Sequence, residues 1–393
     1  MGVQWMLVKQ SISVGIDIGT STTRVVVVEE KPEGVSILGF GTAQTSGVRH
    51  GYVVNRDDAV IGLKKAIRDA ERQCGIKIRQ AMISIGGVGL DAQYSTGGSV
   101  VSRADSIIGK VDIEKAISEA ESGLDLKNKA MLHAYPVSFK IDGKEFPVRP
   151  EGISGLKLEV RTLFITCFQQ HLDDLLGVMN DAGVKVLGFT ATPIATHQIL
   201  LSDLQRNFGC ALIDIGAETV SVSVFENNTI VSLHVFDIGS LNITKDLALG
   251  LRITPEEAES IKLGVVSFQT VPKKKIEEIV EARLSDIFEL IDKYLKKMGR
   301  SGLLPAGAVL IGGGSNLHNI ELVAKTMLKI PVRRGFVELP SSKGLIKDQS
   351  LLVAYAVASA QVGTSHKGQK HTTIYDGDGI LAVLKKFFKQ LMP

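Results

Sequence analysis

The stretch "VGIDIGTSTTRVVVV" (Val14–Val28) constrains the fold of this chain more than any other. A β-branched run ends at Asp17, turns at Gly19 through Thr20 and Ser21, and leaves again from Thr22. Short runs of this kind around a glycine turn predict an antiparallel hairpin. The same grammar restarts about two hundred positions later in "CALIDIGAETVSVSVF" (Cys210–Phe225), which predicts that half of the molecule is duplicated. A third Asp-Ile-Gly, in "FDIGS" (Phe236–Ser240), has no Thr-rich turn or return strand and reads as a strand end.

Backbone N–H groups can cradle a phosphate where glycine lets the chain approach closely. Gly19, with the hydroxyls of Thr20, Ser21 and Thr22, has that make-up, and Asp17 at the strand end suits a water-mediated contact to Mg²⁺. Asp214, Gly216, Glu218 and Thr219 repeat the arrangement. Taken singly, each motif also fits an ordinary hairpin turn carrying a strand aspartate. "AVLIGGGSNLHNI" (Ala308–Ile320) places Gly312, Gly313 and Gly314 between a strand and a helix whose start is marked by Ser315 and Asn316. Such a turn admits a flat ring and a ribose, with donors at the helix N-terminus. A Rossmann turn or a packing turn would use the same letters. In "PEEAESIKLG", Glu259 and Lys262 are three apart and share a helix face. They could take a ribose and a base, or form a solvated ion pair.

Between these motifs the chain alternates strand and helix signals. Helical spacing covers Asp57–Gln73, Asp112–Glu121, Gln169–Ala182, Leu241–Leu249, Glu256–Leu263, Lys274–Met298 and Ser350–Val362. "FKIDGKEF" (Phe139–Phe146) is a hairpin turning at Asp142-Gly143. Leu156–Cys167 is a strand long enough to leave one unit and enter another. The hydrophobic fraction is 44% and the charged fraction 22%, which is ordinary for a folded core. The net charge of +3 rules out a nucleic-acid polycation, so no nucleic-acid partner is expected. Cys74, Cys167 and Cys210 lie far apart without a CxxC, which suggests neither a disulfide framework nor a zinc site and fits a cytoplasmic protein.

In order, the two hairpins, the Glu/Lys helix and the glycine turn resemble the parts of the actin-like ATPase clamp, in which two lobes close on Mg-ATP. The resemblance extends to the cell-division family FtsA through "GVRHGYVVNRDDAV", "STGGSVVSRADSIIGKVDIEKAISEA", "HAYPVSFKIDG", "GISGLKLEV" and "DIGSLNITKDLALGLRITPEEAESIK". It implies an α/β, two-lobed actin-like fold of duplicated RNase H-like halves, with a small inserted α+β subdomain and a C-terminal amphipathic helix. By that resemblance, 1–83 and 163–192 form the first lobe and 84–162 the inserted subdomain. Residues 193–231 and 301–362 form the second lobe core and 232–300 its helical subdomain. A linker over 363–378 leads to a membrane-targeting helix over 379–393.

The implied cofactors are ATP and Mg²⁺, the latter held by Asp17 and Asp214 through water. The implied role is an adaptor, at most a weak ATPase, that polymerises and tethers FtsZ at the inner face of the cell membrane and recruits later division proteins. "EARLSDIFELI" resembles the helix on which the FtsZ C-terminal peptide docks, which makes Arg283 the candidate contact. The sequence departs from the family's second phosphate motif, Asp-x-Gly-Gly-Gly-Thr-Thr-Asp, at Ala217, Glu218 and Ser221, and has Thr192 where a Glu often precedes the proline. Glu218 puts a carboxylate near the phosphates, which either calls for Mg²⁺ or costs affinity. The altered motif also resembles PilM, the actin-like adaptor of type IV pilus machines. An actin-fold small-molecule kinase is a further alternative.

The chain ends in "GILAVLKKFFKQLMP" (Gly379–Pro393). From Thr364 onward five lysines face two aspartates, so the whole net charge sits in this segment. At about 100° per residue, Ile380, Leu381, Leu384, Phe387, Phe388 and Leu391 share one half of a helix, with Lys385, Lys386 and Lys389 on the other. That is the pattern of an interfacial helix, with lysines for anionic inner-leaflet lipid; a helix docked on its own lobe has the same letters. Three lysines add about 1 kcal/mol each near an anionic leaflet, so a single tail is a reversible anchor and a polymer multiplies it. Deleting 379–393 is expected to abolish sedimentation with anionic liposomes and leave the thermal midpoint unchanged. A midpoint lowered by several degrees with liposome binding intact would mean that the helix docks on its own lobe.

Overall fold

The computed structural model describes residues 12–363 apart from 33, 266–271 and 343; the expected linker beyond 363 and the helix 379–393 lie outside it. The first hairpin forms as its sequence predicts, with strand Ile12–Ile18 antiparallel to Thr22–Lys31. Val25, Val26, Val27 and Val28 are all fully buried. Successive strand residues point to opposite faces, so this sheet is covered on both sides. It contains seven strands, in the order Lys185–Ala191, Gln80–Ile85, Ile12–Ile18, Thr22–Lys31, Gly34–Gln44, Leu339–Ser341 and Gly344–Ile346.

Helix Arg56–Cys74 covers part of it. Asn55 caps the start by accepting from the Asp58 N–H, and Gly75 at φ 70° ends it in the left-handed region. The helix lies so close that a Cβ on Gly41 would stand 1.8 Å from the Ala66 carbonyl oxygen. Helix Leu352–Gly363 packs on strand Ile12–Ile18 in the same way, and a Cβ on Gly15 would stand 2.1 Å from the Ala354 oxygen.

This second contact corrects the expected lobe assignment. Residues 301–362 were expected to stay in the second lobe, but 339–363 return to the first, as a hairpin added to its sheet and a helix laid on it. The reason is steric. Gly15 opposite Ala354 and Ala358 lets backbone approach backbone, and Ala354, Ala356, Val357 and Ala358 are all buried there.

The second sheet repeats the topology of the first. Its order is Thr229–Phe236, Val220–Glu226, Cys210–Ile215, Ala308–Ile311, Val332–Arg334, with the first three strands antiparallel and the last two added in parallel. In the first lobe Gly34–Gln44, Thr22–Lys31, Ile12–Ile18, Gln80–Ile85 and Lys185–Ala191 follow the same pattern. The duplication is therefore one of topology as well as of letters. Phe236 closes its strand and Gly239 caps helix Ser240–Leu251, so "FDIGS" is a strand end as read. Helices Pro255–Lys262, Lys273–Lys297 and Ile320–Leu328 also belong to this lobe, the second of them burying Leu284, Ile287, Phe288 and Ile291.

The inserted unit is a four-stranded sheet, ordered Asp91–Val100, Lys157–Phe168, Lys129–Ile141, Lys144–Phe146, with helix Lys110–Ser122 packed on it. Asp142 at φ 49° and Gly143 at φ 80° make the predicted two-residue turn. Strand Lys157–Phe168 serves two cores, as its length suggested: Leu158 and Val160 face the small one, and Leu163, Ile165 and Cys167 the large one. The Tyr94 hydroxyl also donates to the Val231 carbonyl (2.5 Å), so the insertion touches the second lobe as well.

The Gly15 contact is directly testable. A methyl group there must displace the Ala354 backbone, and overpacking of this kind costs about 1–3 kcal/mol. Gly15→Ala is expected to lower the thermal midpoint by several degrees. An unchanged midpoint would mean that helix 352–363 does not pack on this strand.

Candidate functional site

The two hairpin turns close identically. The Gly19 N–H donates to the Thr22 carbonyl (3.2 Å) and the Gly216 N–H to the Thr219 carbonyl (2.9 Å). A Cβ on either glycine would stand 3.0 Å from that oxygen, so the tightness of the turn selects glycine. Each turn holds an aspartate at the end of the preceding strand. Asp17 pairs in register with Arg24, while Asp214 pairs with Ser221, so only the first copy carries a guanidinium beside its carboxylate.

Asp17 accepts from Ser84 Oγ (2.7 Å) and lies 3.7 Å from Arg24 Nη1. Burial raises its pKa, and Arg24 and Ser84 oppose that rise. Asp214 is pushed up to about 7, first by burial and then by the charge of Asp17, with Arg24 relieving part of it. The two carboxylates therefore share one field. Arg24 Nε is buried with no hydrogen-bond partner among the described residues, so the guanidinium acts on both mainly through its charge.

Thr20 Oγ1 accepts from the Gly51 N–H (3.3 Å), while Ser21 is exposed at the tip of the turn. Glu218 is taken up by the other lobe. Its carboxylate accepts from Arg49 Nη1 and from the His50 N–H, both at 2.7 Å. Burial pushes its carboxyl up, but the His50 and Arg49 hydrogen bonds outweigh this and hold it below the usual glutamate range.

A small cavity of about 50 Å³ lies beside the second turn, lined by Gly86, Gly87, Thr192, Pro193, Asp214 and Thr219 among others. Asp214 is the only ionisable side chain among its described lining residues. A cavity of about 420 Å³ opens at the glycine turn beside Gly312, Ser315, Asn316, Phe336 and Gln349. Gly312 joins the two regions, because at φ 83° its Cβ would stand 2.2 Å from Asp214 Oδ1. Gly314 packs on Ile215, whereas nothing lies within 4 Å of a Cβ on Gly313, which leaves an open backbone face.

The predicted helix start at Ser315 and Asn316 needs correcting. Gly313–Asn316 is a 3₁₀ turn in which Ser315 Oγ donates to the Gly312 carbonyl, and Leu317 is extended. The α-helix begins only at Ile320, so no α-helix N-terminus faces the glycine turn.

Glu259 and Lys262 pair at 2.7 Å, and the Lys262 amine, 5% exposed, also donates to the Ser240 carbonyl and to Thr244 Oγ1. As they stand, they fasten helix Pro255–Lys262 to helix Ser240–Leu251. Arg283 is held in a bidentate pair by Asp246 (2.6 and 3.0 Å), with Asp286 at 3.4 Å. Ser84, Arg24, Arg49, His50 and Asp237 escaped the sequence reading. Arg24 follows the first motif directly and could have been flagged by its place opposite Asp17, but nothing local marks Arg49 or His50 as reaching the second lobe.

Among the described residues no cluster of three metal-ligating side chains occurs. Two desolvated carboxylates that repel each other are the donor set for a hard cation reached through water, rather than for a closed protein cage.

The family model described as "Cell division protein FtsA" matches residues 211–358, and "SHS2 domain inserted in FTSA" matches 90–166. The chain is 30% identical to the cell division protein FtsA of Bacillus subtilis over 374 residues, covering 89% of this chain and 84% of that one. It is 28% identical to the FtsA of Pseudomonas aeruginosa over 344 residues, covering 82% of each. Among solved structures, the PilM–PilN type IV pilus biogenesis complex aligns with a TM-score of 0.67 at 16% identity, covering 89% of this chain and 98% of that one. MreB 5 of Spiroplasma citri bound to AMPPNP aligns with a TM-score of 0.51 at 10% identity, covering 97% and 99%. The two-lobed duplicated architecture is thus the actin-like ATPase fold with an inserted SHS2 domain.

The raised carboxylates set a pH dependence. Unfolded, Asp214 ionises near its ordinary 3.8; folded, near 7. The folded state therefore binds the extra proton, so its contribution to stability is fully present below about pH 4 and lost as pH rises through about 7. Mg²⁺ is expected to raise the thermal midpoint at pH 8 and to do so much less at pH 5.5, where a proton already neutralises Asp214. Asp214→Asn should flatten both the pH slope and the Mg²⁺ response in a thermal-shift titration. A Mg²⁺ response that is equal at both pH values and survives Asp214→Asn would overturn this assignment.

Proposed function

The chain belongs to the FtsA family of cell division proteins, and from that premise we propose that it is an ATP-binding, self-associating adaptor. It ties FtsZ filaments to the inner face of the cell membrane at the division site and recruits later division proteins. The observation that carries the nucleotide reading is the pair of identically closed turns, with Asp17 and Asp214 in one shared field. Phosphates would meet the N–H groups and hydroxyls of Gly19, Thr20, Ser21 and Thr22 from one lobe, and Gly216 and Thr219 from the other. Asp17 and Asp214 would hold Mg²⁺ through water; bound there, the ion would offset their charge against the phosphates. A ribose and base would lie along the open face of Gly313, next to Gly312, Gly314 and Asn316. Glu259 and Lys262 would reach the ribose only by loosening their hold on Ser240 and Thr244.

Hydrolysis would be slow. The small cavity presents Thr192 and no carboxylate besides Asp214, so a base for the attacking water is missing from its described lining. The same deficit disfavours a small-molecule kinase. The PilM likeness, at 16% identity, carries the fold and no partner. An acidic FtsZ peptide docking on helix Lys273–Lys297 would compete with Asp246 for Arg283. Among the described residues no helix is long and apolar enough to cross a membrane. Attachment would use the apolar letters of the terminal segment, Ile380, Leu384 and Phe387 among them.

Calorimetry is expected to show binding of Mg-ATP, weakened at least about tenfold, or about 1.4 kcal/mol, by Asp17→Ala or Asp214→Ala. Turnover should fall well below the enzyme median of about 10 s⁻¹. No ATP binding by the wild type would sink the nucleotide reading. Failure to retain the FtsZ C-terminal peptide would sink the adaptor reading.

A further inference from the structure

One set of contacts crosses between the lobes without touching Asp17 or Asp214. On the first lobe, the segment Val48–Gly51 is pinned from several sides. Gly51 donates to Thr20 Oγ1, the Val88 N–H donates to the His50 carbonyl, and a Cβ on Gly51 would stand 2.5 Å from the Gly87 Cα. On the second lobe, the turn Gly216–Glu218 is pinned by the start of a helix. The Ser240 N–H donates to the Gly216 carbonyl and the Leu241 N–H to the Ala217 carbonyl. A Cβ on Gly239 would stand 2.5 Å from the Ala217 oxygen.

Between these two rigid pieces run the charged contacts. Glu218, 6% exposed, takes the Arg49 guanidinium and the His50 N–H, while the His50 ring meets Asp237 at 2.5 Å. Both ends are fixed, so lobe opening cannot be absorbed by bending either piece and must break these contacts. Losing one partner while the cleft stays closed would leave the covered carboxylate under-paired, so the contacts break together as the lobes part and water reaches Glu218.

We propose that Glu218, Arg49, His50 and Asp237 form a latch between the lobes that holds the cleft shut and sets how fast a bound nucleotide leaves. The effect on nucleotide release rests on the nucleotide reading above; the latch itself does not. It makes Glu218 a positioning residue of the cleft rather than a phosphate ligand. The wall that closes the cleft is the Val48–Gly51 segment, which carries no phosphate motif.

Three variants test it in the full-length chain: Arg49→Ala, Glu218→Ala and the double variant, with a charge swap of Arg49→Glu plus Glu218→Arg. The first readout is amide hydrogen exchange of 47–53 and 216–219 in protein without nucleotide. Each single variant should speed exchange in both segments about tenfold, the double variant should add nothing further, and the swap should restore part of the protection. The second readout is release of a fluorescent ATP analogue in Mg²⁺, expected about tenfold faster in each single variant. Additive effects in the double variant, or unchanged exchange in 47–53 after Glu218→Ala, would overturn the latch. Slower release after Glu218→Ala would overturn it too, since Glu218 would then act by repelling phosphate. If the wild type binds no analogue, the nucleotide reading falls while hydrogen exchange still decides the latch.

Discussion

Two aspartates at the ends of two buried strands lie close enough that the charge of Asp17 raises the proton affinity of Asp214, and the surrounding structure holds them there. Bringing ionisable groups together in a desolvated cleft is unfavourable unless a stiff framework imposes it and something positive answers it. The framework is the twice-used sheet order, whose strands Ile12–Ile18 and Cys210–Ile215 aim their carboxyl ends at one cleft. Arg24 supplies part of the answering charge, and the duplication does not provide it twice, since Ser221 stands opposite Asp214. Asp214 thus has no guanidinium of its own strand pair beside it, and burial together with the charge of Asp17 pushes it up to about 7.

Besides an apolar core that runs across both lobes, three physically different contacts join them. Helix Leu352–Gly363 is laid backbone-to-backbone on the first sheet through Gly15, an apolar contact with no charged element. Tyr94 links the inserted unit to Val231 by one hydrogen bond. The Glu218 contacts are charged and sit at the cleft. A two-lobed fold opens most readily where its joints are polar and few, because such contacts can be exchanged for water. The first joint acts as a permanent connection, the last as one that can be broken and remade.

Several candidate site residues serve the fold. Lys262 and Glu259 fasten two helices, Arg283 clamps Asp246, and Glu218 spans the cleft. A ligand or partner that recruits any of them must first release an internal bond. Recognition would then be coupled to a shift in packing, which is how a binding event at one surface of an adaptor can be felt at another.

The sequence by itself determined the hairpins, the glycine turn, the extents of most of the longer helices and the duplication. These depend on periodicity and on residues such as Gly19, Gly216 and Asp142-Gly143, whose consequences are local. Helix Gln169–Ala182 lies where its pattern placed it, and Arg56–Cys74 extends one residue beyond its predicted range at each end. The glycine-poor strands Lys129–Ile141 and Thr229–Phe236 were less legible, because half-buried strands with mixed letters have no periodicity of their own. Only the tertiary structure decided that 339–363 return to the first lobe, that Ser84 and Arg24 attend Asp17, and that Arg49 and His50 reach Glu218. Those residues are far apart in the chain, and their meeting depends on how two sheets and an insertion pack. Short-range pattern carries turns and faces; which distant side chains meet is settled by close packing.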